Sequence, residues 1–381
     1  MYSHHSRHQE RKRFVALGIV CRLLYYRCGL VCIGINKLGI MKDIRDFQLL
    51  EYNTFGIEGK CRRFVEFDTV DELKYVLASL TPADNPLMVL GGGSNLLLTR
   101  DFPGTVLHSN IVGRPVVERT ADETGDFLVT AGSGMIWDDF VAFCVENGIY
   151  GAENLSLIPG TVGASAVQNI GAYGVEAKDI IYKVEAVEIA TGKTVTFSNS
   201  DCRYAYRQSR FKTEWKGMYV VTNVTYRLSS TFTPHLDYGN IKQELERIGI
   251  INPTANELRR VIIHIRETKL PDTKVEGNAG SFFMNPVVEK SKYNALALEY
   301  PGMPHYTVDP HHEKIPAGWM IDRCGWKGKT VGRAGVHDKQ ALVLVNRGGA
   351  TGSEIVELCN LIRKDVYEKF GIEINPEVNI I

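Results

Sequence analysis

The 381-residue sequence has no excess of charge of either sign, since 44 Lys and Arg residues balance 44 Asp and Glu residues. It therefore lacks the basic footprint with which proteins hold nucleic-acid phosphates, and we expect no nucleic-acid partner. The eight cysteines include no CxxC pair, the spacing typical of zinc sites and redox dithiols. We expect free thiols in a reducing cytoplasm and no bound metal.

A long apolar run is also lacking. The longest run near the N-terminus, Phe14 to Cys21, has eight residues, whereas a membrane-spanning helix needs about 20. Residues 1–40 carry seven Lys or Arg residues and one acid, with no clean signal-peptide cleavage site. Because the sequence after Met41 reads like an ordinary protein start, we interpret residues 1–40 as upstream translation or an extension of doubtful order. We expect no membrane partner.

Hydrophobic periodicity predicts strands and helices mixed along the chain. Residues 64–80 read as a strand and then a helix, with Thr69 as N-cap and Glu72 completing a capping box. Alternating patterns on both sides of residues 191–192 predict a hairpin. Further strands are predicted at 218–229 and 340–346, a strand, turn and helix at 127–148, and helices at 241–250, 257–267 and 351–371. This mixture indicates an α+β protein, and the length favours two or three domains.

The first glycine-rich segment, GGGSN at residues 91–95, lies between two predicted strands. It lacks the third glycine of GxGxxG and opens no helix, so it is not a Rossmann fingerprint. Consecutive glycines expose backbone N–H groups at close approach, which suits phosphate oxygens. A plain hairpin turn is the alternative.

The second glycine-rich segment spans residues 154–176, NLSLIPGTVGASAVQNIGAYGVE, and has four glycines and few charges. A long uncharged loop of this kind rarely has a structural role only. We expect its backbone to wrap a bulky cofactor, with a purely structural loop as the alternative.

Several polar residues stand in apolar or aromatic surroundings further along the chain. Each of them alone also fits a structural role, such as an arginine that stacks on a ring. In EGNAGSFFMNP the residues by themselves indicate only a hydroxyl buried near a ligand. The residues concerned are Arg207, Tyr238, Arg266, Lys269, Ser281 and Glu377.

Taken together, the segments resemble the UDP-N-acetylenolpyruvoylglucosamine reductase family from about Tyr52 to Val378. The Tyr238 loop resembles that of the subtype which closes a tyrosine-bearing loop over substrate. Ala164 and Ala166 depart from the family pattern, in which Ser and Pro can stand, and residues 1–40 have no counterpart. The segments, in order, are YNTFGI, LGGGSN, LIPGTVGASAVQNIGAYGVE, YRQSRFK, TKLPDTKVEGNAGSFFMNP, AGWMIDRCGWKGKTVGRAGVHDKQALVLVN and NPEVNII.

The resemblance implies an α+β fold in which a two-domain FAD-binding unit of the vanillyl-alcohol oxidase type is joined by a third, substrate-binding α+β domain. We expect one FAD-binding subdomain at residues 41–111, to which residues 371–381 return. A second subdomain is expected at residues 112–270, and the substrate domain at residues 271–370.

The implied activity is NADPH-dependent reduction of UDP-N-acetylglucosamine enolpyruvate to UDP-N-acetylmuramate, a step of peptidoglycan precursor synthesis, with FAD as cofactor. The resemblance assigns proton donation to Ser281. Arg207 and Glu377 are expected to stabilise the enolate, since a guanidinium binds a carboxylate with two hydrogen bonds. Because Ser94 and Asn95 stand where covalent flavoproteins of this fold group carry a histidine, we expect non-covalent FAD.

Binding residues follow from the glycine segments and from family position, and we expect a cytoplasmic monomer. The predicted cofactor contacts are Gly91, Gly92, Gly93, Ser94, Asn95, Gly160, Gly163, Ser165, Asn169 and Gly171. The predicted contacts to the nucleotide sugar are Tyr206, Tyr238, Arg266, Lys269 and Asn285.

Two other functions stay open. A flavin oxidase of the same fold would remove a proton from an alcohol or sugar, whereas Arg207, Ser281 and Glu377 suit proton donation. The second alternative is a protein that binds a nucleotide sugar without catalysis. The presence of Arg207, Ser281 and Glu377 together argues against this alternative. Yellow colour that bleaches with NADPH would favour the reductase.

Overall fold

The computed structural model describes the backbone of residues 22–25, 30–33, 35–36 and 39–381, and side chains from Met41 onward. The prediction about residues 1–40 therefore lies largely outside the described residues. The strands before Met41 form two short antiparallel pairs, β1 with β2 and β3 with β4. They are β1 (Arg22–Tyr25), β2 (Leu30–Ile33), β3 (Ile35–Asn36) and β4 (Gly39–Ile40).

The first part of the fold is a four-stranded mixed sheet in the order β5-β6-β9-β7. Helix α1 begins as predicted, since Thr69 Oγ1 accepts a hydrogen bond from the amide of Glu72 at 3.1 Å. The Glu72 carboxylate returns to the amide of Asp68 instead of that of Thr69, at 2.7 Å. The elements are β5 (Lys42–Gln48), β6 (Lys60–Phe67), α1 (Val70–Ser79), β7 (Leu87–Leu90), β8 (Leu96–Leu97) and β9 (Phe102–Ser109).

The second part is built on a five-stranded antiparallel sheet in the order β10-β11-β16-β14-β15. The predicted hairpin is present, and Gly192 turns between its strands with φ +68°. The elements are β10 (Val116–Arg119), β11 (Phe127–Gly132), α2 (Trp137–Glu146), α3 (Val162–Gln168), β12 (Gly171–Ala172), β13 (Val175–Glu176), β14 (Ile181–Glu188), β15 (Thr194–Ser198), β16 (Tyr219–Leu228), α4 (Ile241–Arg247) and α5 (Ala255–Lys269).

The prediction of one long loop at residues 154–176 is wrong, because helix α3 lies within it. Thr161 caps this helix by accepting from the amide of Ala164 at 3.4 Å. Glycine disfavours helices, but here Gly163 permits close packing: a Cβ at this position would lie 2.8 Å from the Cβ of Ser133. Packing against the sheet therefore outweighs the local preference for a loop.

The third part contains two small antiparallel sheets, β17-β23-β22-β21 and β18-β20-β19. The strand predicted at residues 340–346 is shorter, since the amide of Val343 bonds back to the carbonyl of Gln340 and turns the chain. The elements are β17 (Gly277–Asn278), β18 (Val287–Glu289), α6 (Lys290–Glu299), β19 (Tyr306–Asp309), β20 (His312–Lys314), α7 (Ala317–Arg323), β21 (Thr330–Val331), β22 (Ala334–Val336), β23 (Leu344–Asn346), α8 (Gly352–Phe370) and β24 (Asn379–Ile380).

One hydrophobic core joins the first and third parts. The rings of Phe55 and Phe282 lie 6.2 Å apart, edge to face, within it. At the C-terminus, β24 pairs in parallel with β8, so the chain end returns to the first part. The second part has its own core, in which Trp137 and Tyr226 are fully buried. The predicted site residues come from both sides of the boundary between these cores.

The structure confirms the α+β class. The described cysteine side chains are all free thiols, as expected, and they are Cys61, Cys144, Cys202, Cys324 and Cys359. Across the described ranges, none of the helices has the length and apolarity needed to span a bilayer.

Candidate active site

The two glycine-rich segments lie against each other. A Cβ on Gly92 would come within 3.2 Å of the Gly160 Cα, and one on Gly91 within 2.9 Å of the Thr161 hydroxyl oxygen. The hairpin alternative for residues 91–95 is wrong, because β7 and β8 belong to different sheets. The backbones of the two segments therefore form one continuous surface.

Gly93 is the position in the first segment that tolerates no side chain. Its φ is +64°, and a Cβ there would overlap the carbonyl oxygen of Tyr52 at 1.9 Å. Its neighbour Gly92 is exposed. An uncovered glycine backbone of this kind suits the phosphates and flat ring system of a dinucleotide cofactor, so the residues present fit FAD.

Ser165 and Asn169 are predicted cofactor contacts, but their side chains bind the protein itself. Both residues are completely buried. Ser165 Oγ donates to the carbonyl of Val162 at 2.7 Å, and Asn169 Nδ2 donates to the carbonyl of Ala205 at 2.8 Å. Any part that these residues have in cofactor binding is therefore through the backbone that they hold in place.

Arg207 and Glu377 form an ion pair across the boundary between the two cores. Arg207 Nε lies 3.1 Å from Glu377 Oε1, and about four-fifths of each side chain is buried, with 19% and 18% exposed. Arg207 Nη2 also donates to the carbonyl of Gly171 at 2.6 Å. Burial raises the pKa of Glu377, while Arg207 and Lys212 oppose the rise.

The segment with Ser281 is joined to Glu377 through the backbone. The amide of Glu377 donates to the carbonyl of Phe282 at 2.8 Å, and Phe283 pairs with Pro376. Both phenylalanines are buried, but Ser281 is exposed. The expectation of a buried hydroxyl is thus wrong, because the chain turns at Gly280 (φ +65°) and both rings enter the core while the hydroxyl stays at the surface.

Aromatic side chains from two parts of the fold meet beside the ion pair of Arg207 and Glu377. Tyr238 stacks on Tyr306, with ring centroids 5.5 Å apart. Lys314 Nζ lies 4.7 Å from the centroid of the Tyr206 ring and 5.6 Å from that of Tyr306. Burial lowers the pKa of Lys314, which Glu176 opposes. These contacts provide an aromatic and cationic wall.

Lys269 and Asn285, two further predicted substrate residues, are each held by a hydrogen bond. Lys269 Nζ donates to Asn240 Oδ1 at 2.9 Å, which ties the end of α5 to the loop that carries Tyr238. Asn285 Oδ1 accepts from the amide of Ala317 at 2.9 Å. Burial raises the pKa of Tyr206, and Asn285 is among the neighbours that oppose the rise.

Arg266 is partly buried one helical turn before Lys269, and its Nε atom is fully buried. Its Nε has no hydrogen-bond partner among the described residues. Burial lowers the pKa of Arg266, while Tyr173 and Asp138 oppose the change. An unpaired buried donor is costly, so a ligand that supplies an acceptor at this position would be stabilised by it.

The sequence did not single out Lys314, Tyr306 or Lys212 as site residues. Lys314 lies just before the AGWMID segment, and Lys212 is the last residue of YRQSRFK. Their closeness to segments shared with the family could have marked both as candidate site residues. Tyr306 had no such signal, because only the tertiary fold places it against Tyr238.

Comparison with characterised sequences supports a flavoprotein fold. Residues 61–198 match the FAD binding domain model, and residues 271–381 match the model described as UDP-N-acetylenolpyruvoylglucosamine reductase, C-terminal domain. The UDP-N-acetylenolpyruvoylglucosamine reductase of Bacteroides fragilis (strain YCH46) is 54% identical over 335 residues, 88% of this chain and 99% of the relative. The enzyme of that name from Flavobacterium johnsoniae is 44% identical over 338 residues, 88% of this chain and 98% of the relative.

Among solved structures, UDP-N-acetylenolpyruvylglucosamine reductase from Thermus caldophilus shares the fold. The TM-score is 0.59 at 24% identity, over 89% of this chain and 98% of that one. Fold and site thus define an FAD-binding protein with an added C-terminal domain, which confirms the predicted fold class. The chain belongs to the UDP-N-acetylenolpyruvoylglucosamine reductase family, as its segments predicted.

Proposed function

We propose that this protein is a cytoplasmic, FAD-dependent reductase that uses NADPH to convert UDP-N-acetylglucosamine enolpyruvate to UDP-N-acetylmuramate for peptidoglycan synthesis. The observation that carries the proposal is the ion pair of Arg207 with Glu377. The segment that contains Glu377 pairs with the residues that follow Ser281. Family membership supports the same reaction.

FAD, when bound along the two glycine-rich segments, supplies the hydride carrier between NADPH and the substrate. The backbone at residues 91–95 and 160–171 would hold it, and Gly93 keeps the first of these segments close to Tyr52. Ser94 and Asn95 stand where a tethering histidine would be, which supports non-covalent attachment.

Arg207 binds the carboxylate of the enolpyruvyl group and balances the negative charge that develops on it during reduction. The protein already holds this guanidinium in place with Glu377 and the carbonyl of Gly171, so little rearrangement is needed. Glu377 keeps the guanidinium oriented through its ion pair. Burial raises the pKa of this carboxyl, which supports our proposal that it holds a proton when it donates to the enolate.

Ser281 gives its hydroxyl proton to the carbon next to the carboxylate and recovers a proton from solvent. Its exposure supports this role, because the hydroxyl is free to meet a ligand. Tyr206, Tyr238, Arg266, Lys269 and Asn285 bind the nucleotide sugar. The Tyr238–Tyr306 stack supports a tyrosine loop that closes over the substrate.

We further propose a monomer in which residues 41–111 with 371–381 and residues 112–270 are the FAD-binding subdomains, and residues 271–370 bind substrate. The pairing of β24 with β8 supports the return of the chain end.

The experiment is to purify the protein, measure its flavin, and mix it with NADPH and then with the enolpyruvyl substrate. Bleaching by NADPH, recovery of the yellow colour by the substrate and release of flavin on denaturation are expected. Oxygen consumption with an alcohol or sugar, without NADPH, would establish the oxidase instead. Binding of the nucleotide sugar without flavin or turnover would establish a non-catalytic protein.

A further inference from the structure

Lys212, the last residue of YRQSRFK, has no part in the function proposed above. Its ammonium donates to the carbonyl oxygen of Arg207 at 2.9 Å. Arg207 has a φ of +55°, a left-handed conformation that non-glycine residues adopt only when their surroundings impose it. The lysine therefore binds the backbone at the residue whose side chain meets Glu377.

The base of Lys212 is firmly anchored in the second part of the fold. Ser209, which is 2% exposed, donates from its hydroxyl to the carbonyl of Val167 at 2.6 Å. Phe211 packs edge to face on Trp215, with ring centroids 5.2 Å apart. Because the backbone around Lys212 is already ordered by these contacts, the remaining entropic cost of holding its ammonium on Arg207 is that of the lysine side chain alone.

Lys212 also places a second positive charge near Glu377. Burial lowers the pKa of Lys212, and the attraction of Glu377 opposes that change. From the same turn, Tyr206 and Arg207 also interact with Glu377. Two cations thus act on Glu377: Arg207 contacts it directly, at 3.1 Å, and Lys212 acts through its charge.

We propose that Lys212 is a positioning residue, which fixes the backbone of Arg207 so that its guanidinium meets Glu377 and the substrate carboxylate, and which adds positive charge near Glu377. This inference rests on the proposed function. A purely structural lysine would stabilise the turn without any specific effect on the step in which the carboxylate gains charge.

The test compares Lys212→Met, Lys212→Arg and the exposed control Lys216→Met. Each holoenzyme is mixed with NADPH and, after reduction, with the enolpyruvyl substrate, while flavin absorbance is followed. For Lys212→Met we expect flavin content equal to that of Lys216→Met, and flavin reduction within about threefold of wild type. Reoxidation by substrate should slow by about tenfold or more, the size expected for losing one charged hydrogen bond. Lys212→Arg should recover most of the rate.

The pH dependence of reoxidation provides a second measurement. Glu377→Gln identifies the ionisation that belongs to Glu377 by removing it. In Lys212→Met this ionisation should move to higher pH, because a positive charge that favours the carboxylate is gone. The inference would be overturned if Lys212→Met matched Lys216→Met in both flavin reduction and reoxidation. It would also be overturned if Lys212→Met slowed both half-reactions equally and lost flavin. If reduced wild-type protein is not reoxidised by the substrate, the proposed function itself fails, and the inference falls with it.

Discussion

The proposed cofactor side and the proposed substrate side of the site hold their polar groups in different ways. On the cofactor side, the side chains of Ser165 and Asn169 are fully buried and hydrogen-bonded to the protein itself. On the substrate side, Ser281 and Lys269 are exposed, and Arg266 keeps a buried donor without a partner among the described residues. The first side presents backbone to its ligand, while the second presents side chains.

This difference indicates how each ligand is recognised. A glycine-rich backbone binds through N–H groups and shape, so most single side-chain truncations there should have little direct effect on the cofactor. Side chains that are not already paired within the protein have free hydrogen-bonding capacity to offer a ligand. Truncations on the substrate side should therefore change reaction and binding steps while leaving the fold intact.

Ser281→Ala should give the largest change. Flavin content and reduction by NADPH should stay near normal, because the hydroxyl has no role in either. Reoxidation by the enolpyruvyl substrate should slow by ~10²–10⁴-fold, the usual contribution of general acid catalysis. Stopped-flow absorbance of the flavin measures both steps.

Ser281→Cys should retain more of the rate, since a thiol can also donate a proton, and the exposed Ser291→Ala on α6 serves as control. Equal losses in both half-reactions, or loss of flavin, would mean that the segment is structural. Slow reduction with normal reoxidation would place Ser281 at the nicotinamide step.

Asp138→Asn should give the next largest change, which is a loss of folding stability. Asp138 accepts from Arg259 Nη1 at 2.7 Å and from the amide of Leu157, whose φ is +56°, at 2.6 Å. Breaking a largely buried ion pair costs ~3–5 kcal/mol, and partial exposure reduces this to about 2–3 kcal/mol of unfolding free energy. Denaturant unfolding of the holoenzyme measures it.

The same pair predicts how stability depends on pH. Burial raises the pKa of Asp138, but hydrogen bonds from Arg259 and Leu157 outweigh this and lower it below its usual value. A lowered pKa stabilises the folded state above the unfolded value of ~3.9, and this contribution disappears as pH falls through the folded pKa. Asp138→Asn should lack this part of the acid dependence. Asp71→Asn, the exposed acid at the same position of α1, should keep it.

Much of the fold could be predicted from the sequence, because hydrophobic periodicity and capping are local. The Thr69 cap and the hairpin around Gly192 are examples. Helix α3 could not be predicted in this way, since its stability depends on close packing of Gly163 against Ser133, which lies on a distant part of the chain. The pairing of β24 with β8 likewise joins residues far apart in sequence, and only the family resemblance indicated it.

The candidate site shows the same limit. Arg207 and Glu377 stood out as charges in apolar surroundings, and the structure pairs them. The local sequence does not show that residues 375–377 pair with residues 282–284. It therefore could not predict that Ser281, next to this pairing, is exposed. The contact of Lys212 with Arg207 depends on the positive φ angle of Arg207. A positive φ is unusual for arginine, so the sequence alone does not predict this contact.

Lys269→Ala should produce a moderate change, confined to substrate binding. Its ammonium donates to Asn240, in the loop that carries Tyr238, and we propose that it binds the diphosphate of the substrate. Loss of one charged contact costs ~1.5–3 kcal/mol, so the Michaelis constant for the nucleotide sugar should rise about tenfold or more. Flavin reduction by NADPH should match that of the exposed control Lys193→Ala. An unchanged Michaelis constant would remove Lys269 from the site.

Ser94→Ala should give the smallest change and tests the cofactor side most directly. The hydroxyl of Ser94 donates to the carbonyl of Pro159 at 3.3 Å, a long bond in partly exposed surroundings. If backbone binds the cofactor, losing this bond should weaken FAD binding by no more than about 1 kcal/mol. Gly92→Val should weaken it far more, because even a Cβ at this position would come within 3.2 Å of the Gly160 Cα. Titration of the apoprotein with FAD, followed by flavin fluorescence, measures both. A Ser94→Ala variant that binds FAD as poorly as Gly92→Val would show that side chains, and not backbone, hold the cofactor.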